Sequence, residues 1–517
     1  MQRNERVNLL LKTLNERILV LDGATGTALQ SKNLTPKDFG GVELDGCNEN
    51  LVFTRPDIVA SVHDLYLDVG ADIVETNSFG GAAIVLSEYN LQEKAYEINF
   101  RAAKIARERA DAFTAKNPSK PRFVAGSMGP TTKALSVTGG ITFEELEQNF
   151  YDQARALYEG GIDYFLLETC NDTRNIKAGL LGIRRFLDTQ EVKLPIAVSV
   201  TIEATGTMLA GQTIDALAAS LSHQNLLYVG LNCATGPDLM TDHIRTLSSM
   251  LTTRVACVPN AGLPNEHGKY LETPDGVATV LERFVDHGWI NLIGGCCGTN
   301  QEHIRAMSKM VQGKKPRLPQ TQMGSWLSGV DFLDVTDEKR PLLVGERSNV
   351  IGSKKFKDLI TAKLFDEAAE VAKEQVKKGA HVVDVCLANP DSNEYEDMKN
   401  FLEKVIHKVR APLMIDTTDD KVVGLGLSYS QGKAIINSIN LEDGEERYKK
   451  IVPLAKKCNA ALVVGTIDDD KENGMAVTRE RKLEVAKRSY DLLVNKFGYP
   501  EEDIYCDPLV FPCATGD

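Results

Sequence analysis

Three cysteines are the residues best suited to chemistry. Cys296 and Cys297 are adjacent in GGCCGT (294–299), a glycine-rich stretch that offers a buried sulfur pair little to pack against. Cys233 lies more than sixty positions earlier, in GLNCA (230–234). Three thiolates form a soft, zinc-selective donor set and leave one tetrahedral position open, the mark of a catalytic site. An ion held there would activate a thiol nucleophile, because the thiolate attacks and the thiol does not. Spacing alone leaves this open: no CxxC is present, and three core cysteines facing one end of a fold would look the same. The other cysteines, Cys47, Cys170, Cys257, Cys386, Cys458, Cys506 and Cys513, read as small hydrophobes. Ten cysteines in so long a chain do not read as a disulfide framework.

A second inventory is acidic and amidic: Glu346, Asn349, Asp384, Asp416, Asn437 and Asp507 all fall near the ends of apolar runs in the C-terminal part. Such a set suits a ligand edge with several N–H donors and ring acceptors, as in a pterin. Helix capping explains any one of them. It explains their recurrence at successive strand ends less well. The eight histidines form no spaced metal set, and His63, His223 and His287 fall in helical patterns.

The elements that must position these groups follow a simple rhythm. From residue 17 onward, short β-branched runs alternate with amphipathic helical patterns, which predicts βα units on a parallel sheet. Strands are expected at 17–25, 71–79, 122–130, 164–169, 195–202, 228–234, 254–262 and 291–297. Eight is the count of a (βα)8 barrel. An open doubly wound sheet is the alternative, though it more often has fewer strands. Barrel closure brings the ends of strands six and eight to one rim, and with them Cys233, Cys296 and Cys297. Residues 313–341 have no sustained period and read as a linker. The alternation then resumes, with strands expected at 342–349, 381–388, 412–418, 434–440, 461–467 and 504–510. The expected fold is therefore α/β, two TIM-type (βα)8 barrels in tandem, the second truncated after about six strands. The domains are 1–312, a linker 313–341, and 342–517.

Composition narrows the function classes. Hydrophobic residues make up 43% and charged residues 25%, a normal globular balance. The net charge of −13 argues against nucleic acid as a partner. No apolar run approaches twenty residues and the N-terminus has no signal-peptide pattern, so no membrane partner and a cytoplasmic location are expected.

GATGT (23–27), ETN (75–77), GLNCA (230–234), PNAGLP (259–264) and GGCCGT (294–299), in this order, resemble the homocysteine-binding domain of homocysteine S-methyltransferases over about residues 8–312. The resemblance implies that Cys233, Cys296 and Cys297 are catalytic zinc ligands, with the sulfur of homocysteine taking the fourth position. The turn Gly23-Ala24-Thr25 offers backbone N–H groups for the substrate carboxylate. Asp22 and Glu168 are placed to receive the α-ammonium. Glu75 and Asn260 are further strand-end candidates, and Asn260 is a hypothetical metal contact when substrate is absent.

The second series resembles the pterin-binding domain of methyltetrahydrofolate methyltransferases and dihydropteroate synthases. This implies that Asp384, Asp416, Asn437 and Asp507 hold the pterin ring, with Glu346 and Asn349 beside them. One departure is Cys386, where many members of that family carry Asn. The order of domains is similar to that of cobalamin-dependent methionine synthases. It implies a methyltransferase of methionine biosynthesis that takes a methyl group from methyltetrahydrofolate to homocysteine. The carrier would be methylcobalamin on a domain or protein outside this chain. The folate half-reaction is expected to be weak, because an unclosed barrel exposes strand edges. Two alternatives stay open: a sulfonium or betaine methyl donor, or a non-catalytic zinc and pterin module serving a corrinoid partner.

Overall fold

The structure is a computed structural model that describes residues 1–321, 324–472 and 474–510; Cys513 lies outside the described residues. The chain divides into two compact units, Met1–Ile214 with Asn225–Thr321, and Asp215–Gln224 with Gln322–Asp517.

The first unit contains the eight expected strands: β1 (Leu19–Val20), β2 (Ile73–Glu75), β3 (Phe123–Met128), β4 (Tyr164–Cys170), β5 (Ile196–Val200), β6 (Tyr228–Asn232), β7 (Arg254–Val258) and β8 (Leu292–Ile293). They run in sequential order, all parallel. β1 pairs with β8 on one side, and Leu21 bridges to Ile73 of β2 on the other, so the ring closes as a barrel. Residues two apart share a strand face. The inward set is Leu19 and Leu21, Ile73, Phe123 and Ala125, Tyr164 and Leu166, Ala197, Tyr228, Ala256 and Leu292, which pack into one buried cluster. The first helix, Arg3–Glu16, adds Leu10 and Leu14 to that cluster and is tied by Arg6 to Asp163 just before β4, at 2.7 Å. It closes the end of the barrel where the strands begin. At the other end the same period continues into polar residues: Glu75, Ser127, Glu168 and Asn232.

The outer helices start and stop where local chemistry dictates. Helix Phe143–Gly160 opens on a Thr142–Glu145 capping box and ends at Gly161, whose φ of 107° only glycine adopts readily. Helix Pro56–Asp68 buries His63, and among the described residues neither ring nitrogen has a hydrogen-bond partner. Burial lowers this histidine to about 4, with Arg109 adding to the effect against Asp64. The unfolded chain takes up that proton near 6.5, whereas the native state resists it down to about 4. Stability is therefore full above about 6.5 and is lost as pH falls through this window, by up to about 3 kcal/mol. In urea titrations at pH 8 and pH 5, the wild type is expected to lose more stability on acidification than His63→Leu. Parallel losses would contradict this.

Residues 313–341, expected to be irregular, instead contain a small antiparallel hairpin, β9 (Trp326–Ser328) and β10 (Phe332–Asp334). Three-residue strands are too short to establish a period in sequence. Leu327 and Leu333 from the hairpin pack with Val382, Met414, Ile435 and Ala461, the inward residues of the second sheet.

That sheet has the six expected strands, β11 (Val344–Gly345), β12 (Val382–Val385), β13 (Leu413–Asp416), β14 (Ile435–Ile439), β15 (Ala461–Gly465) and β16 (Ile504–Asp507), parallel and in sequential order. Its outward face packs Val383, Val385, Leu413 and Ile415 against helices carrying Phe356 and Phe401, whose rings meet edge to face at 5.1 Å. On the inward face the period leads from Val382 to Asp384, from Met414 to Asp416 and from Ile435 to Asn437. No helix of the described residues is long and apolar enough to cross a membrane.

Candidate active site

The three cysteines meet at the rim of the first barrel. Their sulfurs all lie within 4.8 Å of one another, and Cys233 and Cys297 are 3.7 Å apart. β6 delivers Cys233 by an abrupt turn: Cys233 (φ 59°) and Ala234 (φ 57°) are both left-handed, a conformation that costs a non-glycine residue energy and that accumulates at functional sites. Asn232 braces the turn from below. Its side chain accepts from Ser199 Oγ at 2.7 Å and from the Thr169 amide at 3.0 Å, and donates to Thr169 Oγ1 at 2.7 Å. Thr169 is itself left-handed, at φ 56°.

The cysteine pair after β8 is held mainly by its backbone. Cys296 N–H donates to Pro259 O at 2.8 Å, and the Cys297 carbonyl accepts from Ala261 N at 3.0 Å. Thr299 Oγ1 donates to Cys296 O at 2.7 Å and accepts the Ala24 amide at 3.3 Å, so it ties this loop to the turn after β1. Electrostatically the sulfurs are unequal. Hydrogen bonds from Cys233 and Cys296 drive Cys297 well below an ordinary thiol, while the same contacts push Cys296 well above it. The three sulfurs thus share their protons, a set that could hold a metal ion in place of them.

The cysteines open on a cavity of about 250 Å³ that is also lined by Gly23, Ala24 and Thr25, by Glu75 and Glu168, and by Asn48, Glu49 and Phe79. Gly23 is needed where it stands, since a Cβ there would lie 2.7 Å from the Tyr66 ring, and the Tyr66 hydroxyl donates to Ala24 O at 3.0 Å. Asp22 and Asn260 are buried outside the cavity lining. One Asp22 oxygen accepts the Glu75 amide at 3.0 Å, and the other has no partner among the described residues; the same is true of Asn260 Oδ1. Burial raises Asp22, Glu75 and Glu168, the last to about 7, and repulsion from neighbouring carboxylates adds to it for Asp22 and Glu75. Ser127 gives Glu168 a short hydrogen bond.

In the second unit, Asn349 Nδ2 donates to Asp384 at 3.1 Å and to Asp416 at 3.2 Å. Asn437 and Cys386 lie beside these carboxylates, and Glu346 is near enough to repel both. Asp384 is raised to about 7, by burial first and then by Asp416, and its Oδ1 is buried with no partner among the described residues. The Arg447 guanidinium holds the surrounding loops through Ser438 O, Thr418 O and Thr417 O, at 2.9, 2.6 and 2.7 Å. Asp507 stands apart. It sits on β16, two strands beyond β14, and its carboxylate accepts the Leu509 amide at 2.8 Å, capping its own turn.

Residues 19–311 match the family of homocysteine S-methyltransferases, and residues 345–517 match the pterin-binding enzymes. The chain belongs to the homocysteine S-methyltransferase family. It is a methyltransferase whose homocysteine and pterin modules match those of methionine synthase-like proteins. Among solved structures, the metallated homocysteine methyltransferase MmuM of Escherichia coli is similar at 21% identity, over 57% of this chain and 96% of that one, with a TM-score of 0.47. A B12-independent methionine synthase of Shewanella sp. W3-18-1, in complex with selenomethionine, is similar at 12% identity over 51% and 88%, with a TM-score of 0.31.

In this homocysteine S-methyltransferase, the structure brings Cys233, Cys296, Cys297, the 23–25 turn and Glu168 to one cavity, and it gathers Glu346, Asn349, Asp384, Asp416 and Asn437 in the other unit. Sequence reasoning passed over Ser127, Asn232, Glu49 and Arg447. Ser127 was within reach, as it is the next inward position after Ala125.

Proposed function

We propose that the first unit holds Zn2+ on Cys233, Cys296 and Cys297 and forms methionine from homocysteine. Methyltetrahydrofolate would be the ultimate methyl source, through a cobalamin carried outside the described residues. The observation carrying this reading is that three clustered sulfurs share a cavity with buried carboxylates and the 23–25 backbone turn. Soft thiolate donors fit zinc, which when bound supplies the Lewis acidity that keeps a fourth, substrate sulfur deprotonated at neutral pH.

The chain's own residues do the rest. Glu75 and Glu168 line the cavity with Asp22 buried behind them, and a bound α-ammonium would relieve the repulsion that raises Asp22 and Glu75. The amide groups of Gly23 and Thr25 receive the substrate carboxylate, since the Ala24 amide is shared with Thr299. Asn260, with its unpartnered oxygen, is the stand-in oxygen donor when substrate is absent. In the second unit, the free Asp384 oxygen, with Asp416, Asn437, Asn349 and Glu346, receives the N–H edge of the pterin, and Asp507 borders the same strand ends. Among the described residues no two cysteines are joined by a disulfide, which suits a reducing compartment, the cytoplasm.

Supplying homocysteine with either free methylcobalamin or S-methylmethionine tests the donor. Faster methionine formation from methylcobalamin is expected. Turnover with S-methylmethionine alone would replace this reading with a sulfonium-dependent one.

A further inference from the structure

The inward faces of β3 and β4 place Ser127 beside Glu168. Ser127 pairs with Leu166 across the two parallel strands, and Glu168 is the next inward position along β4. Both side chains are buried, and both line the cavity of the three cysteines. Ser127 Oγ donates to Glu168 Oε1, and among the described residues the Glu168 carboxylate accepts no other hydrogen bond. The backbone of Ser127 is clamped from the β2 side. Its N–H donates to Thr76 Oγ1 at 2.9 Å, and its carbonyl accepts from Ser78 Oγ at 2.7 Å. The Thr76 and Ser78 hydroxyls are 2.5 Å apart, and each has one proton to give. The Ser78 proton goes to the Ser127 carbonyl, so Thr76 donates to Ser78. Ser78 is fixed in turn, its own carbonyl accepting from Gly81 N at 2.9 Å and from Gln153 Nε2 at 3.1 Å. Neither hydroxyl of the clamp has a proton left for Glu168; that of Ser127 does.

We propose that Ser127 is a positioning residue for homocysteine, its hydroxyl holding Oε1 of Glu168 so that Oε2 is left to meet the substrate's α-ammonium. The inference rests on the reading of Glu168 as the ammonium's partner and adds the group that aims it. A free glutamate side chain samples many rotamers, and ordering it on binding would cost affinity. A hydroxyl held on a clamped strand does that ordering before the substrate arrives, through a hydrogen bond of the strong, charge-assisted kind.

Ser127→Ala removes the hydroxyl and keeps both main-chain bonds of the clamp. Homocysteine affinity is measured by calorimetry on the full zinc-loaded chain for wild type, Ser127→Ala, Glu168→Gln and the double variant. Turnover at saturating homocysteine is followed in parallel with methylcobalamin. Ser127→Ala is expected to weaken homocysteine binding about tenfold or more, with zinc content and kcat near wild type, because ground and transition states lose the same contact. In the Glu168→Gln background the same change should add little, since residues that act through one another are not additive. Wild-type affinity in Ser127→Ala would overturn the proposal. So would an equal loss in both backgrounds, which would mean that the hydroxyl acts without Glu168. Should Ser127→Ala not fold, Ser127→Cys keeps the volume, weakens the donor and takes its place in the cycle, with the same pattern expected. Wild-type affinity in Glu168→Gln would instead overturn the ammonium reading itself.

Discussion

Cys297→Ala is expected to strip the chain of zinc and reduce methionine formation at least a hundredfold while leaving the first barrel folded. Partners that merely orient metal ligands already cost about 10- to 100-fold when removed, and a ligand lost outright should exceed that range. The fold should tolerate the change. Cys297 is half-exposed, and the hydrogen bond that Ala261 gives this loop goes to the Cys297 carbonyl, which alanine keeps. Cys257 supplies the contrast. It is fully buried on β7, 3.8 Å from the Met240 sulfur, and away from the cluster. Cys257→Ala should lower stability and leave zinc content alone. Metal analysis of the two purified variants, beside their rates with methylcobalamin, separates ligand from core. One zinc per chain and wild-type turnover in Cys297→Ala would end the assignment.

Why that triad was visible in sequence, and other parts of the site were not, follows from how each is held. Cys233 and the Cys296-Cys297 pair stand at the ends of strands whose β-branched runs are plain in the sequence, and closing eight such strands brings the ends together without further information. Glu168 and Asp384 are readable for the same reason: each continues the inward period of its strand. The hairpin at 326–334 escapes because its function is tertiary, placing Leu327 and Leu333 against the inward face of the second sheet. Asp507 is a different case. It is a strand-end carboxylate like the others, and a turn amide two residues on takes up one of its oxygens. Strand-end location selects candidates; it does not say whether a carboxylate faces a ligand or caps its own backbone.

Glu168→Gln should raise the KM for homocysteine by roughly 30-fold or more at neutral pH, with zinc content unchanged. Removing one member of a buried, hydrogen-bonded charge pair costs about 2–5 kcal/mol. The low end is expected here, because losing one charge eases the ionisation of Asp22 and Glu75, which can then hold the ammonium less closely. The pH dependence has a definite sign. Burial raises Glu168 to about 7, so the carboxylate proposed to face the ammonium is present above that value and is lost as pH falls through it. The substrate's ammonium stays charged throughout this range, so wild-type KM should climb by up to about tenfold per pH unit below 7. In the glutamine variant that climb should flatten and shift to lower pH, since the charge it follows is gone. A variant with the wild-type KM and the same slope would remove Glu168 from the binding of homocysteine.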